Sequence, residues 1–310
     1  MPDLPRVVCI AGPTGTGKSV AALHLAAVLG GEVINADSRQ VYADFPVITA
    51  QPGSEEQLLC PHHLYGFLSI TEQINAGHWT RLATAKIAAC VARGRLPLLV
   101  GGTGLYIRAI TRGMADIPSV KPEVARCLEE AYTRQGPQVL HARLHEVDPL
   151  YAARTHAHNR QRVLRALGVW ECTGQTFSWW HDQGGGRPFC HALLLVLRTN
   201  LGELTPRLER RVSAMLEAGA LDEARRAFAT CADPKAPGWS GIGCAELYRH
   251  LCGELSLEQA RAFWLGNTRA YAKRQFTWFR GQQDAVWVEP SNLADMVAKT
   301  RAFLEKDAIP

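Results

Sequence analysis

Residues 12–19 read GPTGTGKS, which fits the pattern G-x-x-x-x-G-K-[ST]. No other feature of the 310-residue chain limits its fold as sharply. Such a loop needs a strand to deliver it and a helix to leave it. Val7–Ala11 is a short apolar run read as a buried strand, and Lys18–Leu29 carries a helical pattern. The glycines let the backbone wrap a diphosphate with its N–H groups, and the helix N-terminus adds a positive dipole end. Lys18 supplies a point charge and the Ser19 hydroxyl is placed to reach Mg²⁺. Gly12, Pro13, Thr14, Gly15, Thr16, Gly17, Lys18 and Ser19 are therefore the candidate diphosphate site, with Ser19 the candidate Mg²⁺ ligand. The loop recognises phosphates and does not say what they are attached to.

Further short apolar runs at Glu32–Ala36, Leu96–Val100, Leu193–Leu197 and Val286–Val288 read as strands. A long helix is expected over Thr71–Arg93, with Thr71 as N-cap. Strand–helix alternation predicts a parallel sheet covered by helices on both faces. Between Met114 and Gly186 the strand signals vanish, and helices are expected near Pro122–Arg134, Gln138–His145 and Arg160–Cys172. Gly184–Gly186 before Pro188 reads as a flexible return to the sheet, and helices resume at Thr205–Ala218 and Ser256–Arg280. The expected class is α/β: a P-loop NTPase-like parallel sheet flanked by helices, with an all-helical insertion domain. The boundaries are 1–113 and 188–310 for the core and 114–187 for the insertion.

At 47% hydrophobic and 20% charged residues the chain can build a sizeable core. The net charge of +5 is mildly basic, but 27 Arg against 7 Lys suits phosphate recognition, because the guanidinium fork bonds two oxygens at once. Nine Cys without a CxxC pair fit free thiols in a reducing compartment. Cys60, His62 and His63 cluster, but without a second ligand pair a zinc site is not expected. No apolar run is long enough to span a bilayer, and Val7–Ala11 is too short for a signal peptide. A cytoplasmic, membrane-free protein acting as a monomer is expected.

A P-loop ATPase normally ends another core strand in an acid. Here Leu96–Val100 runs into Gly101, Gly102 and Thr103, and Leu193–Leu197 into Arg198. The second strand does end in a carboxylate, Asp37. In a parallel sheet the carboxyl ends of the strands face the ligand crevice, which brings Asp37 and Thr103 toward the phosphates. A single carboxylate beside a diphosphate suits a general base acting on an incoming nucleophile; capping the next helix is the alternative. Ser38 and Gln40 offer polar groups for a nucleobase edge, or belong to an ordinary polar loop.

Taken in order, GPTGTGKS (Gly12–Ser19), DSRQVY (Asp37–Tyr42), PHHL (Pro61–Leu64) and GGTGLY (Gly101–Tyr106) make the chain resemble the tRNA dimethylallyltransferases, or isopentenyltransferases. The resemblance continues through DP-x-x-A-A-R (Asp148–Arg154), QRVLRAL (Gln161–Leu167), IG-x-x-EL (Ile242–Leu247) and TRAYAKRQFTWFR (Thr268–Arg280). It implies transfer of a dimethylallyl group from dimethylallyl diphosphate, with Mg²⁺, to N6 of the adenosine just 3′ of the anticodon. The product would be N6-isopentenyladenosine in tRNAs reading codons that begin with U. The target base would be flipped into a channel, since a stacked amine cannot reach a buried electrophile.

The same resemblance assigns roles. Asp37 matches the general base and Thr103 a residue contacting the same region. Arg207 and Arg211, four apart and so on one helix face, look like the arginines that stabilise the leaving diphosphate. Asp37, Ser38, Arg39, Gln40 and Thr103, with Gln161, Arg162, Val163, Leu164 and Arg165, match segments that contact the tRNA anticodon stem-loop. Ala125 stands where relatives often carry Arg, with Arg126 beside it. Arg269, Lys273, Arg274 and Arg280 make a basic helix expected on the RNA backbone, and RNA affinity should then fall steeply with salt. Trp79, Trp179, Trp180, Trp239 and Phe177 are candidates for base stacking. Departures at His158, Asn159, Cys244 and Ala245 touch RNA contacts rather than chemistry. The end at Pro310 leaves out the zinc finger of some eukaryotic relatives and points to a bacterial-type enzyme. The rival readings are a P-loop small-molecule or nucleotide kinase, whose lid the insertion would be, and an RNA-binding factor with a relic loop.

Overall fold

The computed structural model describes residues 4–184 and 186–305. The chain divides into two compact units, residues 1–111 with 189–310, and residues 112–188. In the first unit six strands form one sheet: β1 (Arg6–Ala11), β2 (Gly31–Asn35), β3 (His62–His63), β4 (Leu96–Gly101), β5 (His191–Leu197) and β6 (Ala285–Val288). Their order is β3-β2-β4-β1-β5-β6, and all pairings are parallel. β1 lies between β4 and β5, its last residue Ala11 level with Gly101 and Val196. The segments that follow β1, β2, β4 and β5 therefore leave along one edge, where an α/β sheet places its ligands.

Alternation along the strands supplies both faces with core. Val8, Ile10, Leu98, Val100, Leu195 and Leu197 pack against the helix Lys18–Leu29 and against Met296 of the helix Leu293–Glu305. Val7, Cys9, Ile34 and Leu99 point the other way, toward Trp79, Ala83 and Ile87 of the helix Ala76–Ala92 and toward Phe279. Trp79 stacks on Tyr106 with ring centres 4.1 Å apart and donates its indole N–H to the Asn35 carbonyl. A third cluster joins Val41, Tyr42, Phe45 and Ile48 to the C-terminal helices through Val212, Trp239, Leu247 and Trp264.

The helix expected over Thr71–Arg93 begins only at Ala76. Asn75, in extended backbone, caps it by accepting the His78 N–H at 2.8 Å, while Glu72 folds back to accept the Ser69 N–H. The helix expected from Thr205 instead starts at Leu201, capped by Asn200, and runs through Pro206. Strand β3 has two residues, too few for a periodic signal.

The second unit is helical: Pro122–Gln135, Pro137–Val147, Pro149–Ala153, Arg160–Thr173 and Phe177–Asp182. Three of these helices open on proline, whose missing N–H costs nothing in a first turn. Leu128, Leu140, Leu144, Ala152, Val163, Leu164, Ala166 and Leu167 form its core. Buried Asp148 accepts the Tyr151 and Ser178 N–H groups at 3.0 and 2.8 Å, tying two helix starts together. Of the expected flexible return, Gly185 lies outside the described residues. Gly186 is pinned, its N–H donating to the Met114 carbonyl at 2.9 Å, and a side chain there would meet that carbonyl. No helix among the described residues is long and apolar enough to cross a membrane.

Candidate active site

The phosphate loop takes its shape from three glycines with positive φ: Gly12 at 143°, Gly15 at 81° and Gly17 at 90°. Lys18 folds over the loop and donates to the Gly12 and Pro13 carbonyls at 3.0 and 2.9 Å, and Thr16 donates to the Pro13 carbonyl at 2.8 Å. Burial pulls the Lys18 ammonium down to about 8; the Asp37 charge opposes that and Arg211 adds to it. Ser19 is exposed at the start of the helix.

Asp37 leaves the end of β2 in a turn fixed by hydrogen bonds. Its N–H donates to Asn35 Oδ1 at 2.7 Å, and its Oδ1 accepts the Arg39 N–H at 2.9 Å. Asn35 Nδ2 donates to the Asp37 and Leu64 carbonyls. Thr103, after β4, accepts the Ser38 N–H at 2.9 Å through Oγ1 and donates its own N–H to the Ala36 carbonyl at 3.1 Å. No helix follows Asp37 directly, so the capping alternative does not apply. The neighbouring Val41, Tyr42 and Phe45 are buried and anchor the turn.

Asp37 and Thr14 line one cavity of 260 Å³, together with Arg39, Arg211, Thr268, Tyr271 and Arg274. A second cavity of 960 Å³ reaches the same loop at Gly15, Thr16 and Gly17 and is lined by Arg198, Arg207, Arg280, Phe276 and Trp287. The loop is thus approached from two cavities: Asp37 lines the smaller, and Glu203 and Glu289 line the larger beside its arginines. Burial lowers the Arg211 guanidinium, opposed by Asp37, so Lys18, Arg211 and Asp37 feel one another electrostatically.

Several sequence expectations change here. Arg207 and Arg211 do not line one cavity: Arg211 faces the Asp37 side and Arg207 the other. Leu208 lies between them in sequence and packs where a Cβ on Gly15 would fall. The Gln40 amide is not available as a donor to a base, because its Nε2 donates to the Thr49 and Ala50 carbonyls at 3.0 and 2.6 Å. Val163 and Leu164 are core residues of the helical unit, so their side chains cannot meet RNA. Arg165 is half-buried and donates to the Ile117 carbonyl. Gln161, Arg162 and Ala125 are exposed, as are Arg269, Lys273, Arg274 and Arg280. Trp79 and Trp239 are buried in cores and cannot stack on a base, whereas Trp179 is partly exposed. Asn159 caps the helix Arg160–Thr173, and Cys244 is buried in the third cluster.

Tyr271, Gln275 and Trp278 escaped the sequence reading, although the quoted basic segment contains all three. Their spacing of three and four places them on one helix face, and that face turns toward the loops. Burial pushes the Tyr271 hydroxyl up to about 12, with the Asp37 charge contributing and hydrogen bonding to Thr103 and Gln275 pulling back. The Trp278 ring fills the space a side chain on Gly104 would need.

The IPP transferase family profile matches residues 40–282. The chain is 56% identical to a tRNA dimethylallyltransferase of Nitratidesulfovibrio vulgaris, with 96% of this chain and 93% of that protein covered. It is 54% identical to one of Desulfovibrio desulfuricans, with 94% and 90% covered. Among solved structures it is similar to the full-length tRNA isopentenylpyrophosphate transferase from Bacillus halodurans, with a TM-score of 0.73 and 32% identity over 98% of each chain. It is also similar to a eukaryotic dimethylallyltransferase acting on tRNA, with a TM-score of 0.81, 29% identity, and 98% of this chain and 79% of that one covered. These relatives do not favour a kinase. A loop built for phosphates, the Asp37 carboxylate sharing a cavity with it and relatives matched over nearly their whole length lead to one assignment: the chain belongs to the IPP transferase family of prenyltransferases.

Proposed function

We propose that the chain transfers the dimethylallyl group of dimethylallyl diphosphate to N6 of the adenosine immediately 3′ of the anticodon of tRNA. The product is N6-isopentenyladenosine, in tRNAs that read codons beginning with U. One observation carries this reading: Asp37 and Thr14 of the phosphate loop line the same cavity.

In the proposed step a bond forms between adenine N6 and the donor's C1 while the C1–O bond to diphosphate breaks. The diphosphate leaves with the electron pair, and the N6 proton passes to the Asp37 carboxylate. The loop amides other than that of Thr14, with Lys18 and Arg211, neutralise the departing oxygens, an interaction that strengthens as charge develops. Arg207 serves from the larger cavity, through which the donor enters. Asp37 and Thr103 orient the amine, Thr103 by holding the Ser38 amide. General-base help is worth roughly 10²–10⁴-fold, and alignment of two bound substrates on the order of 7–11 kcal/mol.

Mg²⁺ fits the loop. Exposed Ser19 offers one hydroxyl, and this ion takes most of its ligands from phosphate oxygens and water. Held by Ser19 and the diphosphate, it would add charge neutralisation to the leaving group. Exposed Arg269, Lys273, Arg274 and Arg280 support an RNA-facing helix, and Gln161 and Arg162 give the helical unit exposed polar groups for the same partner. A cytoplasmic monomer working on tRNA completes the proposal.

The test supplies purified protein with labelled dimethylallyl diphosphate, Mg²⁺ and tRNA lacking the modification. Label should enter tRNA, and an anticodon arm with guanosine in place of the target adenosine should stay unlabelled. Diphosphate release without any label in RNA would overturn the proposal.

A further inference from the structure

We infer that Gln275 is a positioning residue that fixes the phosphate loop relative to Asp37. The inference rests on the proposed use of those two elements together. Gln275 sits on the helix Leu257–Arg280 with its side chain buried, 5% exposed. Its amide meets the Tyr271 hydroxyl one turn earlier on the same helix, and both of its polar atoms also reach outside the helix. Its Oε1 accepts the Thr14 N–H at 3.0 Å, and its Nε2 donates to the Gly102 carbonyl at 3.0 Å. Thr14 belongs to the loop after β1, and Gly102 to the segment after β4.

The connection continues to the acid. Thr103, next to Gly102, holds the Ser38 N–H at 2.9 Å and the Ala36 carbonyl at 3.1 Å, one residue to either side of Asp37. A single planar amide thus joins the anion cradle to the segment that grips the Asp37 turn. The seat is shaped for it: a Cβ on Gly102 would lie 2.0 Å from Gln275 Nε2. The amide also uses the Thr14 N–H, so that group is not offered to an anion. A hydrocarbon in its place would leave a buried N–H and a buried carbonyl unpaired, and the two loops would have to shift to recover partners. Displacements on the order of 1 Å cost catalysis far more than binding, because alignment is what is lost.

Two variants test this in the full-length protein: Gln275→Leu, which removes both bonds, and Gln275→Glu, which keeps the acceptor for Thr14 and loses the donor to Gly102. The single-turnover transfer rate of Gln275→Leu should fall roughly 30–300-fold, with equilibrium binding of donor and of tRNA changed no more than about threefold. For Gln275→Glu the rate relative to wild type should climb about fivefold or more from about pH 8 to about pH 6, because a buried carboxyl protonates readily and regains the donor. A purely structural role would leave that ratio flat. If Gln275→Leu does not fold, the pH profile of Gln275→Glu decides alone. A Leu variant within about threefold of wild type, a loss confined to donor affinity, or a flat Gln275→Glu ratio overturns the inference while leaving the proposed function standing. Wild-type protein that transfers nothing overturns the proposed function, and this inference with it.

Discussion

A Cβ placed on Gly101 would lie 2.2 Å from the carbonyl carbon and oxygen of Ala36 and 2.7 Å from the Asp37 nitrogen. The obstacle is backbone, which cannot swing aside as a side chain can, so any other residue must spread the ends of β2 and β4. Gly101→Ala is therefore expected to lower transfer by about 10²-fold or more and stability by roughly 1–3 kcal/mol, read from turnover and the thermal midpoint. Turnover within about threefold of wild type would show that the strand ends adapt. Single residues divide sharply in how far sequence exposes them. Asp37 and the phosphate loop were legible because strand-end geometry and glycine spacing are local properties. The tether of the Gln40 amide nitrogen stayed hidden, because a free and a tethered amide look alike until the carbonyls of Thr49 and Ala50 are located. Gln275 was missed because both its partners are far away in the chain.

Among elements, β2 is fastened at the end away from the site. Glu32 is buried there and joins β3 to the close of the helix Ala76–Ala92: His63 lies 2.7 Å from its carboxylate, Arg93 donates at 2.6 Å, and the Cys90 thiol at 3.3 Å. Burial works against the charge, but the hydrogen bonds from Arg93, His63 and Cys90 outweigh it and hold the carboxyl at about 2. A carboxyl lowered on folding stabilises fully above its unfolded value near 4.5 and loses that contribution as pH falls from there toward 2. Unfolding free energies from urea titrations of wild type and Glu32→Gln should thus differ by roughly 1–3 kcal/mol near neutrality and converge through that acid window. A difference independent of pH would contradict the account. Long, fully buried strands and the helix Lys18–Leu29 announced themselves through apolar runs and flanking glycines. The start of the helix Ala76–Ala92 did not, because choosing Asn75 over Thr71 depends on the turn that Ser69 and Glu72 close.

Over the whole molecule, the site is assembled from distant parts of the chain: a loop after β1, an acid after β2, a threonine after β4, and arginines and a glutamine from the C-terminal helices. Order along the chain disclosed the first three, since a parallel sheet collects strand ends at one edge. It could not disclose that Arg207 and Arg211 serve different cavities, because helical spacing fixes a face but not what that face meets. In the proposed reaction the loop and the acid work as one unit. The most direct measurement is the single-turnover rate of dimethylallyl transfer by Asp37→Asn, with donor and tRNA binding measured in parallel. The expected result is a rate lowered about 10²–10⁴-fold with both affinities nearly kept; transfer at the wild-type rate would contradict the account.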